Sequence, residues 1–288
     1  MDTVQPEVIG FFEPESSSVQ YICIDPATRH CAIIDPVLDF DPGAARTRTD
    51  SADELLDFIE RKQLTVDWIL DTHPHADHLS AAVYLQQKLD APRAIGEGVI
   101  DVQKLWQRIY NFGDEFPTDG LQWDRLFMAG DRFRIGNMDC EVMFSPGHTL
   151  ASVTYLVGDA AFVHDTLFMP DFGTARADFP GGDARLLWRS IQSILALPDD
   201  TRLFCGHDYQ PGGRTPQWES TVREQRETNL HLQGMDEARF VNMRQERDAE
   251  LPIPARMLAA LQINTCGGRL PTAEDNGTAY LKIPLNRF

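Results

Sequence analysis

The segment "DTHPHADHLS", residues 71–80, places His73, His75, Asp77 and His78 within six consecutive positions of a chain with only eight histidines. Imidazole nitrogen and carboxylate oxygen suit zinc and iron, and a catalytic metal needs several such donors while one coordination position stays open. The four residues lie where the apolar run "TVDWIL" ends and a helical pattern begins. They therefore belong to a loop, which can turn several side chains toward one point. Three unrelated surface or core histidines would be the plain alternative, and the spacing speaks against it.

One loop leaves such a site incomplete, so further donors are expected at other strand ends. "SPGHTLAS" carries His148 in a Pro-Gly turn directly after the run "CEVMF". "FVHDTLF" offers the neighbours His164 and Asp165, and strand alternation sends adjacent side chains to opposite faces. Asp165 is the choice for the metal, because a carboxylate can bridge two ions or complete a two-histidine, one-carboxylate triad. His164 is left a supporting or structural role. "LFCGHDY" adds His207, followed by Asp208 and Tyr209. His30, in a turn, and His231, in a polar helical stretch, read as solvated.

Strands and helices must hold these donors. "SVQYICID" and "HCAIIDPV" read as a hairpin joined by "PATR". "SADELLDFIERKQL" reads as a helix with Ser51 as N-cap and Glu54 three residues on. "TVDWILDTH" is a buried strand, "SAAVYLQQKLD" a helix, and the stretch from there to about residue 126 looks irregular. Short strands return in "RFRIGNMDCEVMFSPGH" and "SVTYLVGDAAFVHDTLF". They are followed by an amphipathic helix in "DARLLWRSIQSILAL", a strand in "TRLFCGHD" and a polar helix in "PQWESTVREQRETNLHLQ". Residues 1–235 are expected to form the catalytic domain, and 236–288 a helical and irregular extension packed on it.

At 288 residues the chain can bury a sizeable core. A formal charge of −18 argues against nucleic-acid or anionic-membrane partners, whose phosphates this surface would repel. Cys23, Cys31, Cys140, Cys205 and Cys266 are odd in number and lack CxxC spacing, which fits buried reduced thiols. No basic n-region with an apolar run follows the first residues, and no run reaches the length of a membrane span. A cytoplasmic location is the expectation.

"THPHADH", "SPGHT", "HDTLF" and "GHDY", in this order over roughly residues 10–215, resemble the metallo-β-lactamase superfamily, whose signature is HxHxDH. The resemblance implies an α/β fold: a four-layer αββα sandwich of two mixed β-sheets with the metal at one edge. It also implies two ways to use the donors. In the glyoxalase II pattern, His73, His75 and His148 hold one zinc, Asp77, His78 and His207 another, and Asp165 stands between them in a thioester hydrolase. In the persulfide dioxygenase (sulfur dioxygenase) pattern, one Fe(II) is held by His73, His148 and Asp165. His75, Asp77, His78 and His207 then orient ligands or move protons around it.

Three local features lean toward the dioxygenases. "HDY" stands where glyoxalase II usually reads "HEY", "GTARADFPGG" resembles the arginine-containing segment of the dioxygenases, and the tail lacks the basic cluster that glyoxalase II uses on glutathione. There are departures, since "GTAR" replaces a Gly-Cys-Gly-Arg pattern and His164 takes a usual glycine position. The implied reaction converts glutathione persulfide, O2 and water to sulfite and glutathione, in a protein that the family suggests is a homodimer. Arg176 would bind a glutathione carboxylate, or else pair with Asp171 or Asp178. Tyr209 would hydrogen-bond the iron site or substrate, or pack.

Overall fold

The computed structural model describes residues 5–288. Residues 1–4, where the stretch examined for a targeting signal begins, lie outside the described residues. Strands β1 (Glu7–Glu13), β2 (Ser18–Ile24) and β3 (His30–Ile34) form an antiparallel meander. A small hairpin of β4 (Val37–Asp41) and β5 (Arg46–Arg48) precedes α1 (Asp50–Lys62), which returns the chain to β6 (Thr65–Leu70). After the donor loop come β7 (Leu79–Ser80), α2 (Ala82–Leu89), β8 (Arg93–Gly96), α3 (Val99–Tyr110) and β9 (Arg125–Phe127). The ladder β10 (Arg132–Ile135), β11 (Met138–Phe144), β12 (Val153–Val157) and β13 (Ala160–His164) is antiparallel throughout. Helix α4 (Ala184–Leu195) crosses to β14 (Arg202–Cys205), which lies parallel to β13, and β15 (Glu219–Thr221) closes that sheet. Helices α5 (Val222–Thr228), α6 (Glu237–Asp248) and α7 (Met257–Asn264) complete the body.

Two six-stranded mixed sheets result, in the orders β1-β2-β3-β6-β8-β9 and β10-β11-β12-β13-β14-β15. Their facing sides share one apolar cluster, with Tyr21, Ile34 and Leu70 from the first sheet against Val142, Tyr155 and Phe204 from the second. Strand β2 is buried at every position because both its faces are covered. Its Val19, Tyr21 and Cys23 point between the sheets, while Ile22 and Ile24 point toward Leu55, Ile59 and Leu85 of the helices. Outside the second sheet, Leu187 and Ile191 of α4 and Phe240 of α6 cover Ala161, Val163 and Leu203. The layers are thus helix, sheet, sheet, helix.

Several elements differ from the sequence expectation. Ser51 is not the N-cap of α1; Thr49 holds that position, and the Ser51 amide and hydroxyl both donate to the Asp39 carboxylate, at 2.9 and 2.7 Å. The stretch before residue 126 is regular: it contains β8, β9 and α3, whose Val99, Val102, Trp106 and Tyr110 make a buried helical stripe. The polar stretch "PQWESTVREQRETNLHLQ" is a strand and a two-turn helix, and His231 lies beyond both, buried. In the tail, every residue of α7 but Leu258 is buried, between α3 and the donor loop.

Candidate metal centre

The donor loop starts where β6 leaves the middle of its sheet, and neighbouring groups fix it on three sides. Thr72 donates its amide (2.7 Å) and hydroxyl (2.8 Å) to Asp35, which follows β3. Asp71 accepts from Trp123 Nε1 at 2.8 Å and from Ser80 Oγ at 3.1 Å, and its burial pushes its carboxyl up from the ordinary range. Asn264, the last residue of α7, donates Nδ2 to the carbonyls of His75 and His78 and accepts the Ser80 amide, all at 2.8 Å. The second sheet closes in from the other side, since Val153 N donates to Thr72 O and the Tyr155 hydroxyl to Asp71 O. Gly147 has a φ of 132°, and a Cβ there would meet the Leu187 backbone, so this turn lets α4 pack beside His148.

All seven donors named from the sequence converge here, in two groups. His73, His148 and Asp165 form one, and His75, Asp77, His78 and His207 the other, with the ligand atoms of each within 4.8 Å of one another. Asp165 Oδ2 stands 3.6 Å from both His73 Nε2 and His148 Nε2, while its Oδ1 is 3.3 Å from His207 Nε2. The carboxylate therefore faces both groups.

Hydrogen bonds on the far side of the rings set the tautomers. His148 Nδ1 donates to the Arg176 carbonyl at 2.9 Å, leaving the Nε2 lone pair free. Because Thr72 Oγ1 gives its proton to Asp35, it accepts from His73 Nδ1 at 3.0 Å. Ser16 donates to Glu13, so the Ser18 hydroxyl donates to Ser16 and accepts from His78 Nδ1 at 3.0 Å and His207 Nδ1 at 3.4 Å. His75 Nε2 is 3.1 Å from Asp35 Oδ1. Asp35, Thr72, Ser18 and Asn264 went unremarked in the sequence; only Asp35, an acid closing an apolar strand, carried a local signal.

The residues fit a metal. His73 Nε2, His75 Nδ1, His78 Nε2, His207 Nε2, Asp77 Oδ2 and Asp165 Oδ1 are all buried without a well-formed hydrogen bond. His207 Nε2 and Asp77 Oδ2 stand only 2.9 Å apart, yet out of line for such a bond. Each orphaned buried polar atom costs about 1–3 kcal/mol, and a cation satisfies them together. Burial pushes the imidazoles of His73 and His78 below their ordinary range, which suits neutral ligands. Burial also opposes charge on Asp77 and Asp165, but His207 outweighs it and holds both carboxyls below the usual range.

His164 and Asp165 go to different places. His164 Nε2 sits 3.1 Å from Ser145 Oγ and 2.9 Å from Thr166 Oγ1, in a backbone conformation of φ 43° that glycine adopts more readily. Burial lowers its imidazole to about 3. His30 is half-buried against Asp67 at 2.7 Å. His231 is a correction: it is not solvated, because its Nδ1 accepts from the Thr174 amide at 2.9 Å beneath Gly173. Polarity of the surrounding stretch hid this tertiary contact.

A pocket of ≈ 220 Å³ opens over the centre, bordered by Asp77, His148 and Asp165. Phe168, Phe172, Phe179 and Tyr209 form its walls, and the Tyr209 ring stacks on His207 at 5.7 Å. Arg176 borders it too, but its guanidinium fork is closed on Asp178, at 2.6 and 2.7 Å, and Nη1 donates to Pro252 O at 2.7 Å. Asp208 pairs in the same forked way with Arg214, which also grips Asp171. The tail, in which no basic cluster was apparent, brings Arg244 and Arg247 of α6 to the pocket. Arg244 donates to Thr174 O and pairs with Asp248, whose carboxylate accepts the Ala177 amide at 2.8 Å. Helix α6 thereby braces residues 174–177, including the carbonyl that orients His148.

The metallo-beta-lactamase superfamily profile matches residues 21–207. A "Beta-lactamase hydrolase-like protein" of Agrobacterium fabrum is 65% identical over 98% of this chain, which spans 65% of that relative's length. "Glyoxylase B2" of Dictyostelium discoideum is 47% identical, with 96% of each chain covered. The human mitochondrial "Persulfide dioxygenase ETHE1" is 31% identical over 91% of this chain and 89% of its own. The crystal structure of ETHE1 from Myxococcus xanthus superposes with a TM-score of 0.73 at 28% identity, covering 91% of this chain and all of that one.

Proposed function

Since the chain belongs to the metallo-β-lactamase superfamily, we propose that it is a mononuclear iron(II) dioxygenase that oxidises an organic persulfide, glutathione persulfide being the reference substrate. The partition of the donors carries this reading. His73, His148 and Asp165 make a closed two-histidine, one-carboxylate group with two members on the pocket wall. Iron(II) held there by these three residues would supply redox chemistry toward dioxygen and a sulfur substrate. The overall change is R–S–S–H + O2 + H2O → R–SH + SO3²⁻ + 2 H⁺: the terminal sulfur is oxidised, O2 is reduced, and the S–S bond breaks.

The protein's part is orientation and the exclusion of water. The Arg176 carbonyl and Thr72 hydroxyl aim His148 and His73 inward. Phe168, Phe172 and Phe179 keep bulk water from the reacting sulfur. Asp77, on the pocket wall and 2.9 Å from His207, stays a carboxylate and would hold that imidazole in position beside the centre. The human relative at 31% identity, a persulfide dioxygenase by name, supports this assignment.

One observation favours a second reading, a thioester hydrolase with two zinc ions. The four donors His75, Asp77, His78 and His207 form a complete second group, and Asp165 faces both. Reconstitution without oxygen decides between them. We expect about one iron per chain and O2 uptake with glutathione persulfide; a stable zinc pair that supports thioester hydrolysis would establish the second reading. His148→Ala should lose the iron while His75→Ala retains it, and equal loss in both variants would point to the binuclear site.

A further inference from the structure

A second, smaller space lies beside the centre. Its volume is ≈ 20 Å³, and it shares Ala76, His148 and Phe179 with the aromatic-walled pocket, so the two abut at these side chains. Val102 and Trp106 of α3 and Leu261 of α7, all buried, add to its apolar lining. The side chains facing this space give water little to hold. His148 spends Nδ1 on the Arg176 carbonyl and turns Nε2 toward Asp165, and the Thr149 hydroxyl is 2.9 Å from Ser152 Oγ. That leaves the Trp106 indole N–H, whereas a buried water needs about two to four polar partners. At roughly 10–15 Å³ for one water-sized sphere, the space takes a molecule of one or two heavy atoms and not a thiol.

We infer that this cavity is a binding site for dioxygen, from which the gas reaches the centre past His148. The inference rests on the dioxygenase reading for the use of the gas and on the cavity alone for its binding. An apolar diatomic needs no hydrogen-bond partner and gains by leaving water. A space of this size and lining therefore selects it over water and polar metabolites and, by volume, over the sulfur substrate. The arrangement also separates the two reactants. A persulfide that fills the ≈ 220 Å³ pocket closes that way in, whereas the smaller cavity borders His148 independently. Its half-buried members Thr149, Phe179 and Pro180 lie toward solvent, where gas can enter.

Methyl NMR of the zinc-loaded protein under oxygen pressure tests the site without turnover. Dissolved O2 is paramagnetic and should speed the relaxation of the Val102 and Leu261 methyls well beyond that of Val142 and Leu203, which are equally buried in the sheet cores. Val102→Phe fills the cavity and should remove the effect at Leu261; Val102→Ile is the milder filling should the larger ring prevent folding. Val102→Ala enlarges the cavity and should keep the effect. In the iron-loaded enzyme a filled variant should raise the apparent KM for O2 severalfold, with iron content, the KM for glutathione persulfide and kcat at saturating O2 unchanged. Absence of the excess relaxation in the natural chain, or its persistence at Leu261 in folded Val102→Phe, overturns the inference. So does a KM for O2 that stays put once the effect at Leu261 is gone, or one that rises no more than the KM for the persulfide. Each of these leaves the dioxygenase reading standing. Excess relaxation at the cavity of a protein that consumes no O2 does the opposite: the gas site stands and the dioxygenase reading falls.

Discussion

His207, in the four-donor group beside the proposed iron site, holds a proton that a second cation would have to displace. Burial opposes its charge, but the Asp165 and Asp77 carboxylates outweigh burial and raise the imidazole well above the ordinary value of about 6.5. The proton is bound below that raised value and competes with a cation for Nε2; as pH rises through it, competition ends. Affinity for a second cation in that group should therefore climb with pH across neutrality, and its binding should release protons. Calorimetry in two buffers of different ionisation enthalpy measures that release, and an affinity flat between about pH 6 and pH 8 would show that His207 does not meet the metal. The donors were legible in the sequence because histidine is scarce and their chemistry is specific. The reading of Arg176 was open for the opposite reason: an arginine with Asp171 and Asp178 nearby has equally good partners on the chain and off it, and only the fold brings Asp178 into its fork. His231 was unreadable because its partner, Thr174, lies 57 residues away.

At the scale of elements, α7 belongs to the metal centre although it supplies no donor. Asn264 uses both ends of its amide to hold the donor loop. Asn264→Ala should lower metal affinity by roughly 10–100-fold, the usual range for residues that orient ligands. The variant should still fold, since Ala260 and Ile263 keep the apolar face of α7. Chelator competition measures the affinity and circular dichroism the fold; unchanged affinity in a folded variant would show that the loop holds itself. Strands β2, β3 and β6 could be read because their apolar runs are bounded by turns. Helix α3 was missed even though Val99, Val102, Trp106 and Tyr110 recur at helical spacing, because glycines at 96 and 98 interrupt the stretch just before it. The N-cap of α1 was misplaced because Asp39, on another strand, claims the Ser51 hydroxyl.

Over the whole molecule, the centre lies at an edge where both sheets, α6 and α7 meet, so metal and fold are energetically linked. Metal at 100 times its dissociation constant adds about 2.7 kcal/mol to stability. Chelation should lower the melting temperature by on the order of 5 °C for a chain of this size. A melting curve indifferent to chelator would mean that the donors are organised without any ion. The layered class followed from alternating strand and helix patterns together with the resemblance, but the strand order did not, since β3 pairs with β6 and β13 with β14 across intervening helices. Asn264 lies 189 residues beyond His75. During synthesis at about 5–20 residues per second, the loop of His75 and His78 therefore leaves the ribosome roughly ten to forty seconds before the side chain that secures it. Nascent chains carry the loop's histidines before the amide that fastens them, so metal is captured firmly only once translation has passed α7, and a chain stalled before that point is a poor competitor for iron.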